Sequence, residues 1–126
     1  MDYAPEKLSR RERQIMDIIF KKGEASALDV QELMEDAPSY SAVRTMLRLL
    51  EEKGQLTHRQ SGRKYLYKPA ASHATAQKSA MRKLLNTFYE NSTELAMASL
   101  LDVQEKPLSD AEYGRLRQMI DAARKK

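Results

Sequence analysis

Four polar side chains recur along one face of a short helical segment, PSYSAVRTMLRLLEEKG, at residues 38–54. They are Ser41, Arg44, Thr45 and Arg48. At about 100° per residue, the apolar side chains of the same segment fall on the opposite face. A guanidinium can bridge O6 and N7 of guanine, and a threonine can hydrogen-bond to a base or contact a thymine methyl group. The spacing therefore predicts a face that binds phosphates and base edges, although two arginines four residues apart also suit an ordinary solvated helix.

A second basic group lies at the tip of a predicted β-hairpin. Two extended runs, LTHRQ and RKYLYKP, flank the turn residues Ser61 and Gly62. Arg63 and Lys64 follow this turn, where two cations would contact the backbone or minor groove of a duplex. Tyr65 and Tyr67 alternate as strand residues do, and we expect both to pack against the helices. The hairpin is thus predicted to be a wing that contacts nucleic acid.

Three helices must position these two groups. A capping box, in which a serine hydroxyl and a carboxylate three residues later bond each other's backbone amides, marks the first two helix starts. The N-cap candidates are Ser9, Ser26 and either Ser39 or Ser41, and the stop signals are Gly23, Pro38 and Gly54. Lys53, beside the last stop, is expected to face the carbonyl end of the third helix. Three helices followed by a hairpin predict a winged helix-turn-helix at residues 1–71.

Residues 72–126, here called the arm, return to a helical pattern with several apolar stripes. Thr93 is the cap candidate for a compact apolar helix, and Ser109 opens a capping box for the last one. A single helix cannot bury such stripes, so the arm either folds back on its own chain or interlocks with a second copy; we expect the homodimer. The predicted dimerisation residues are Met81, Leu84, Leu85, Phe88, Leu95, Leu100, Leu101, Leu116 and Ile120. The whole chain is expected to be mainly α.

Composition supports an anionic partner for the winged part of the chain. The 126 residues have a net charge of +4, and residues 37–71 contain seven basic and two acidic residues. Residues 23–36 contain five acidic and no basic residues, so the surface is expected to be polarised. No segment is apolar enough to cross a membrane and the N-terminus resembles no secretory signal, which predicts a cytoplasmic protein without membrane insertion.

Catalytic and metal-binding patterns are missing from the sequence. The chain has no cysteine, and its two histidines, His58 and His73, stand in no metal-binding spacing. We expect an ordinary histidine on a strand and another near a helix start. The adjacent acids of Glu35-Asp36 and Glu51-Glu52 point in different directions and are interpreted as solvated. No enzyme, cofactor or metal is predicted. The alternative function is a winged helix that docks its basic wing on an acidic protein, and the lack of acids on the helix face favours DNA.

Four segments together resemble the penicillinase-repressor family, the BlaI/MecI/CopY group of bacterial winged-helix regulators. They are LSRRERQIMDIIF, SYSAVRTMLRLLEEKGQL, GRKYLYKP and PLSDAEYGRLRQMI, and they span nearly the whole chain. The resemblance implies a winged helix with its recognition helix, a C-terminal dimerisation arm and a dimer that represses by occupying dyad-symmetric operators. It places Ser41, Ala42, Arg44, Thr45 and Arg48 on the DNA-facing part of the recognition helix, and Arg63 and Lys64 on the wing.

Three departures from the family pattern bear on operator choice and induction. Ala42 stands where members often have Thr, and Leu49 where they often have Arg, so the resemblance does not extend to the operator sequence. In antibiotic-responsive members a membrane sensor protease cleaves the arm at an Asn-Phe bond, and the aligned bond here is Leu101–Asp102. The copper-responsive branch uses a C-terminal cysteine pair, and this chain has no cysteine. The resemblance therefore excludes copper sensing of that kind and makes a sensor protease an expected partner of altered specificity.

Overall fold

The computed structural model describes residues 5–125. Residues 1–4 of the N-terminal segment and Lys126 of the basic tail lie outside the described residues. After a 3-10 turn at Pro5–Lys7, the elements are α1 (Arg10–Lys22), α2 (Ala27–Leu33), α3 (Tyr40–Glu52), β1 (Leu56–Ser61), β2 (Lys64–Pro69), α4 (His73–Phe88), α5 (Thr93–Asp102) and α6 (Asp110–Arg124). The order confirms a mainly α chain in which three helices precede a two-stranded wing.

The chain divides into two compact units, Met1–Leu84 and Leu85–Lys126. The division lies inside α4 and therefore falls later than residue 71. The predicted boundary between residues 71 and 72 separates a DNA-binding part of the chain from a part that forms a dimer. It stays a prediction.

The helix starts of the first unit follow the sequence signals. Complete capping boxes form at Ser9 and at Ser26. Of the two candidates for α3, Ser39 is the N-cap, because its hydroxyl accepts a hydrogen bond of 3.1 Å from the Ala42 amide. Ser41 is therefore free of the capping role and lies within the first turn of α3.

A single core holds α1, α2, α3 and the hairpin together. Its eight largest fully buried side chains are at most 1% exposed: Ile15, Met16, Ile19, Val30, Val43, Leu47, Leu50 and Leu56. Burying an aliphatic side chain of this size contributes roughly 1.5–3 kcal/mol. Because three of these residues come from α3 at helical spacing, the core fixes the rotation of α3 and keeps its polar face outward.

The hairpin closes through a two-residue turn, Gly62-Arg63, between the paired residues Ser61 and Lys64, so the predicted turn pair Ser61-Gly62 was wrong by one residue and Arg63 lies in the turn itself. Gly62 has a φ of 64°, and glycine at the first central position is what a type II′ hairpin turn uses. On its other edge β2 joins the chain before α2, since the Ala25 and Tyr67 backbones exchange hydrogen bonds of 2.9 and 2.8 Å. The base of the hairpin is therefore anchored while its tip is exposed.

Two ion pairs between distant residues also join elements of the first unit. The Lys53 ammonium donates to the Glu12 carboxylate at the start of α1, so the prediction that Lys53 serves the end of its own helix omitted its main partner. Arg59 on β1 donates two hydrogen bonds of 2.8 Å to the Glu24 carboxylate. The first pair ties α3 to α1, and the second ties β1 to the loop before α2.

In the second unit, the predicted cap of α5 is wrong by one residue. The N-cap is Ser92, whose hydroxyl accepts from the Leu95 amide at 3.1 Å, and Thr93 is the first helical residue. The two residues before Ser92, Glu90 and Asn91, have left-handed backbone conformations, with φ of 52° and 59°. The Ser109 hydroxyl accepts from the Glu112 amide, as predicted, and begins α6.

Most of the predicted dimerisation side chains are exposed in the single chain. Leu85 and Leu116 are half-buried, while the exposed members are Met81, Leu84, Phe88, Leu95, Leu100, Leu101 and Ile120. Phe88 is 73% exposed. Among the helices of the described chain, none has the length and apolar character that a membrane span requires.

Candidate nucleic-acid interface

The polar face of α3 is pre-arranged by contacts within the helix. The Arg44 guanidinium carbon lies 5.9 Å from the centre of the Tyr40 ring, within the range of a cation–π contact. The Thr45 hydroxyl donates to the Ser41 carbonyl at 3.1 Å, so its proton is already used inside the helix. Thr45 consequently presents its methyl group and an oxygen acceptor, rather than a donor, to any partner.

A cleft of about 920 Å³ separates this face of α3 from the inner face of the hairpin, with the start of α2 at one side. It brings together six of the seven residues expected to contact DNA: Ser41, Arg44, Thr45, Arg48, Arg63 and Lys64. Ala42, which is half-buried, does not line the cleft. The polar face of α3 and the hairpin tip therefore share one surface.

The adjacent acids at the end of α3 are not simply solvated, and their interpretation needs correction. The Glu52 carboxylate accepts from Arg48 at 2.8 Å, one helical turn back, with both side chains about 60% exposed. Such an exposed ion pair contributes little to stability, and Arg48 can readily exchange Glu52 for another anion. Glu51 faces β1 instead and lines the cleft, so the polar face of α3 is bordered by acids after all.

His58 lies on β1, as expected, but it is not an ordinary strand histidine. Its Nδ1 lies 2.6 and 2.8 Å from the two carboxylate oxygens of Glu51. Its ring stacks on Tyr65 with the ring centres 4.3 Å apart. Tyr67 is buried, as predicted, whereas Tyr65 is 47% exposed and contacts the neighbouring strand rather than the helices. The expectation that both tyrosines pack on the helices was therefore wrong for Tyr65.

Several cleft residues escaped sequence reasoning. They are Tyr40, Glu51, His58, Gln60 and Tyr65. A signal for the hairpin members was available, because the two-residue turn fixes the register in which His58 pairs with Tyr67 and Gln60 with Tyr65. Side chains of such pairs stand on the same face of the sheet.

One acid of the cleft is already engaged by the backbone. The Ser26 amide donates to the Asp29 carboxylate at 3.0 Å, and this bond holds the pKa of Asp29 below its ordinary value. Asp29 thus serves the capping box of α2. The two cations of the hairpin tip, Arg63 and Lys64, are exposed, and Lys64 also helps to lower the pKa of Asp29 through its charge. Both remain available to an external anion.

The described residues hold no group of three or more histidine and acidic side chains that could bind a metal ion. His73 lies at the start of α4, as expected, with its ring edge-on to Phe20 at 6.2 Å.

Comparison with known proteins places the chain in a family. The model of the penicillinase-repressor family matches residues 8–122. The penicillinase repressor of Bacillus licheniformis is 25% identical over 116 residues, covering 90% of this chain and 89% of that protein.

Solved structures also resemble the chain. The solution structure of the DNA-binding domain of the repressor BlaI is 27% identical, with 60% of this chain and 93% of that one covered and a TM-score of 0.49. The complex structure of hsRosR-S4 is 13% identical, covers 97% and 96%, and has a TM-score of 0.55, which shows a shared fold. Because the family model spans most of its length, the chain belongs to the penicillinase-repressor family, whose members are DNA-binding transcriptional repressors and not enzymes.

Proposed function

We propose that the protein is a sequence-specific repressor that binds a dyad-symmetric operator as a homodimer. The observation that supports it most directly is the single surface formed by the polar face of α3 and the hairpin tip. Family membership supplies the repressor function, and this surface supplies a means of reading a duplex.

In this proposal the N-terminal half of α3 enters the major groove. Arg44, steadied by the Tyr40 ring, reads a guanine through O6 and N7. Thr45 offers its methyl group to a thymine or its oxygen to a base amino group. Arg48 leaves Glu52 and takes a phosphate or a base, because the exposed carboxylate is easily replaced by a stronger anion.

The hairpin tip contacts the backbone beside that groove. Arg63 and Lys64 are exposed, and the Ala25–Tyr67 bonds anchor the hairpin that carries them to the chain before α2. Contacts to phosphates position a protein on DNA without reading sequence. In this proposal α3 therefore reads the bases, and the wing attaches the protein to the DNA backbone.

The arm, residues 72–126, is proposed to form the dimer. Its exposed apolar side chains, such as Phe88, would be covered by the second copy. A two-fold dimer presents two recognition helices to two half-sites about one DNA turn, roughly 34 Å, apart. A cytoplasmic location is part of the proposal, because a repressor must reach the chromosome.

A membrane sensor protease is proposed as a second protein partner. The bond it would cut, Leu101–Asp102, lies in the last turn of α5 between two exposed residues. The bond contains neither Asn nor Phe, so a protease of different specificity from that of the antibiotic-responsive systems is required.

The deciding experiment is the selection of bound duplexes from a random pool by the purified protein. Enrichment of an inverted repeat is the expected result and would give the operator. The absence of any enriched sequence, at a salt concentration where binding persists, would contradict operator reading. That outcome would favour the alternative in which the basic surface docks on an acidic protein.

A further inference from the structure

One residue of the cleft connects the wing to the recognition helix. His58 on β1 contacts the Glu51 carboxylate on α3 at 2.6 and 2.8 Å and stacks on Tyr65 of β2 at 4.3 Å. Arg63 and Lys64, the cations of the tip, immediately precede Tyr65 in the sequence. A continuous series of side-chain contacts therefore runs from the end of α3 to the base of the tip.

This series supplements the backbone bonds at the base of the hairpin. The Ala25–Tyr67 bonds hold β2, at the residue that pairs with His58, to the chain before α2, so they do not themselves tie the hairpin to α3. The His58 side chain, on β1, contacts Glu51 of α3. Its ring also stacks on Tyr65 of β2, so the link to α3 extends toward the tip of the hairpin. The His58 side chain thus contacts both α3 and the outer tyrosine of the wing.

The charges around His58 make its protonation state matter. On α3 it faces Glu51, and on β2 it faces the rings of Tyr65 and Tyr67. The other charged groups of the cleft are Arg44 and Arg48 on α3, Asp29 on α2, and Arg63 and Lys64 at the tip. Among the described residues, Asp29 and Glu51 are the two carboxylates that line the cleft, and both oppose DNA phosphates, but Glu51 is the one that His58 contacts and can neutralise on taking up a proton.

We propose that His58 is a positioning residue that holds the wing against the recognition helix, and that proton uptake at this residue strengthens operator binding. The inference rests on the proposed function, because it concerns the same DNA-binding surface. Protonated His58 forms an ion pair with Glu51, which tightens the link between wing and helix and neutralises the opposing carboxylate. DNA phosphates in turn favour the charged cleft, so binding and protonation support each other.

The test measures affinity for the selected operator and for a scrambled duplex between pH 8 and pH 6 at constant salt. For the wild type we expect affinity to rise as pH falls, by at most tenfold per pH unit and per protomer for one linked proton. His58→Gln keeps a donor for Glu51 but cannot titrate, so its binding should vary little with pH. His58→Ala should bind about two- to fivefold more weakly at pH 6, the size expected for a half-exposed ion pair.

Two further variants separate positioning from other roles of the imidazole. His73→Gln removes the other histidine of the chain, which lies outside the cleft, and should keep the wild-type pH profile. Glu51→Gln removes the opposing charge, so it should bind more tightly than wild type at pH 8 and lose the pH dependence. If Glu51→Gln keeps the full pH dependence, His58 acts directly on a phosphate and the positioning role is overturned.

The two hypotheses fail in different ways. If the wild type binds no duplex at either pH, the proposed function fails. If the wild type binds the operator but His58→Gln and His58→Ala match its affinity and its pH profile, only the role of His58 is overturned. Thermal unfolding of each variant establishes that it is folded, and His58→Gln, which retains the bond, remains informative even where His58→Ala does not fold.

Discussion

The Lys53 ammonium lies 2.7 Å from one oxygen of the Glu12 carboxylate and 3.0 Å from the other, joining residues 41 positions apart. Glu12 is buried and also accepts from the Ser9 amide at 2.9 Å. The one carboxylate therefore completes the cap of α1 and fixes the C-terminal end of α3. Burial alone would raise the pKa of Glu12, but the hydrogen bonds from Lys53 and Ser9 outweigh it and hold the pKa below its ordinary value of 4.5.

Replacing Glu12 should destabilise the fold in a pH-dependent way. Glu12→Gln leaves Lys53 without its charged partner and should lower the free energy of unfolding by about 1.5–3 kcal/mol at pH 7. Because the pKa is lowered by folding, this stability is present above the unfolded value and is lost as pH falls from about 4.5 through the lower folded value. Urea unfolding at several pH values measures the effect.

The matched control for that experiment is Glu105→Gln, which alters an exposed carboxylate. It should change the free energy of unfolding by less than about 0.5 kcal/mol at any pH. A gap between wild type and Glu12→Gln that stays constant from pH 7 to pH 3 would contradict the assignment.

Two serines near the start of α3 should separate stability from binding. Ser39→Ala removes the N-cap hydroxyl and should cost about 0.5–2 kcal/mol of stability, seen as a lower melting temperature. Ser41→Ala removes a cleft hydroxyl outside the cap, so it should leave the melting temperature near that of wild type and weaken operator binding. The reverse pattern would mean that Ser41 is the cap.

Arg44 is expected to determine sequence preference. Arg44→Ala should cost about 1–3 kcal/mol of operator binding and reduce the ratio of operator to scrambled affinity, because a base contact is lost. Lys64→Ala should weaken both duplexes by similar factors, because a phosphate contact carries no sequence information. Titration of both duplexes measures the ratio, and an unchanged ratio for Arg44→Ala would refute base reading by this residue.

The hairpin tip should determine part of the salt dependence. The logarithm of affinity falls with the logarithm of salt concentration by about 0.9 per phosphate neutralised. Lys64→Ala and Arg63→Ala should each reduce that slope by about one, measured from roughly 50 to 200 mM salt. Lys21→Ala, which alters an exposed lysine that does not line the cleft, is the control and should leave the slope unchanged. Equal slopes for all four proteins would exclude the tip from the interface.

The arm should lose its partner when a charge is placed on its most exposed aromatic side chain. Phe88→Glu is expected to convert a dimer to a monomer in sedimentation experiments without changing helix content, because Phe88 is 73% exposed in the single chain. Leu33→Glu, at a position 56% exposed on α2, should leave the dimer intact. A monomeric wild type, or a dimeric Phe88→Glu, would contradict dimerisation through this surface.

The sequence by itself determined the helices of the first unit, the hairpin and the polar face of α3. These features depend on local physics: Ser9 and Ser26 bond amides three residues away, Gly62 supplies a positive φ, and the 3.6-residue period separates one helix face from the other. The cap of α5 was missed although Ser92, next to Thr93, is the better capping residue by propensity, and its hydroxyl is the one that bonds the Leu95 amide.

Only the tertiary structure decided which distant side chains meet. Glu12 and Lys53, or Glu51 and His58, have ordinary local sequences, and their partnership depends on how α1, α3 and β1 pack around the core. The same packing brought Asp29 of α2 to the cleft beside α3 and left Tyr65 on His58 rather than on the helices. Periodicity fixes the direction of a side chain from its own element, whereas the groups it encounters depend on the position of every other element.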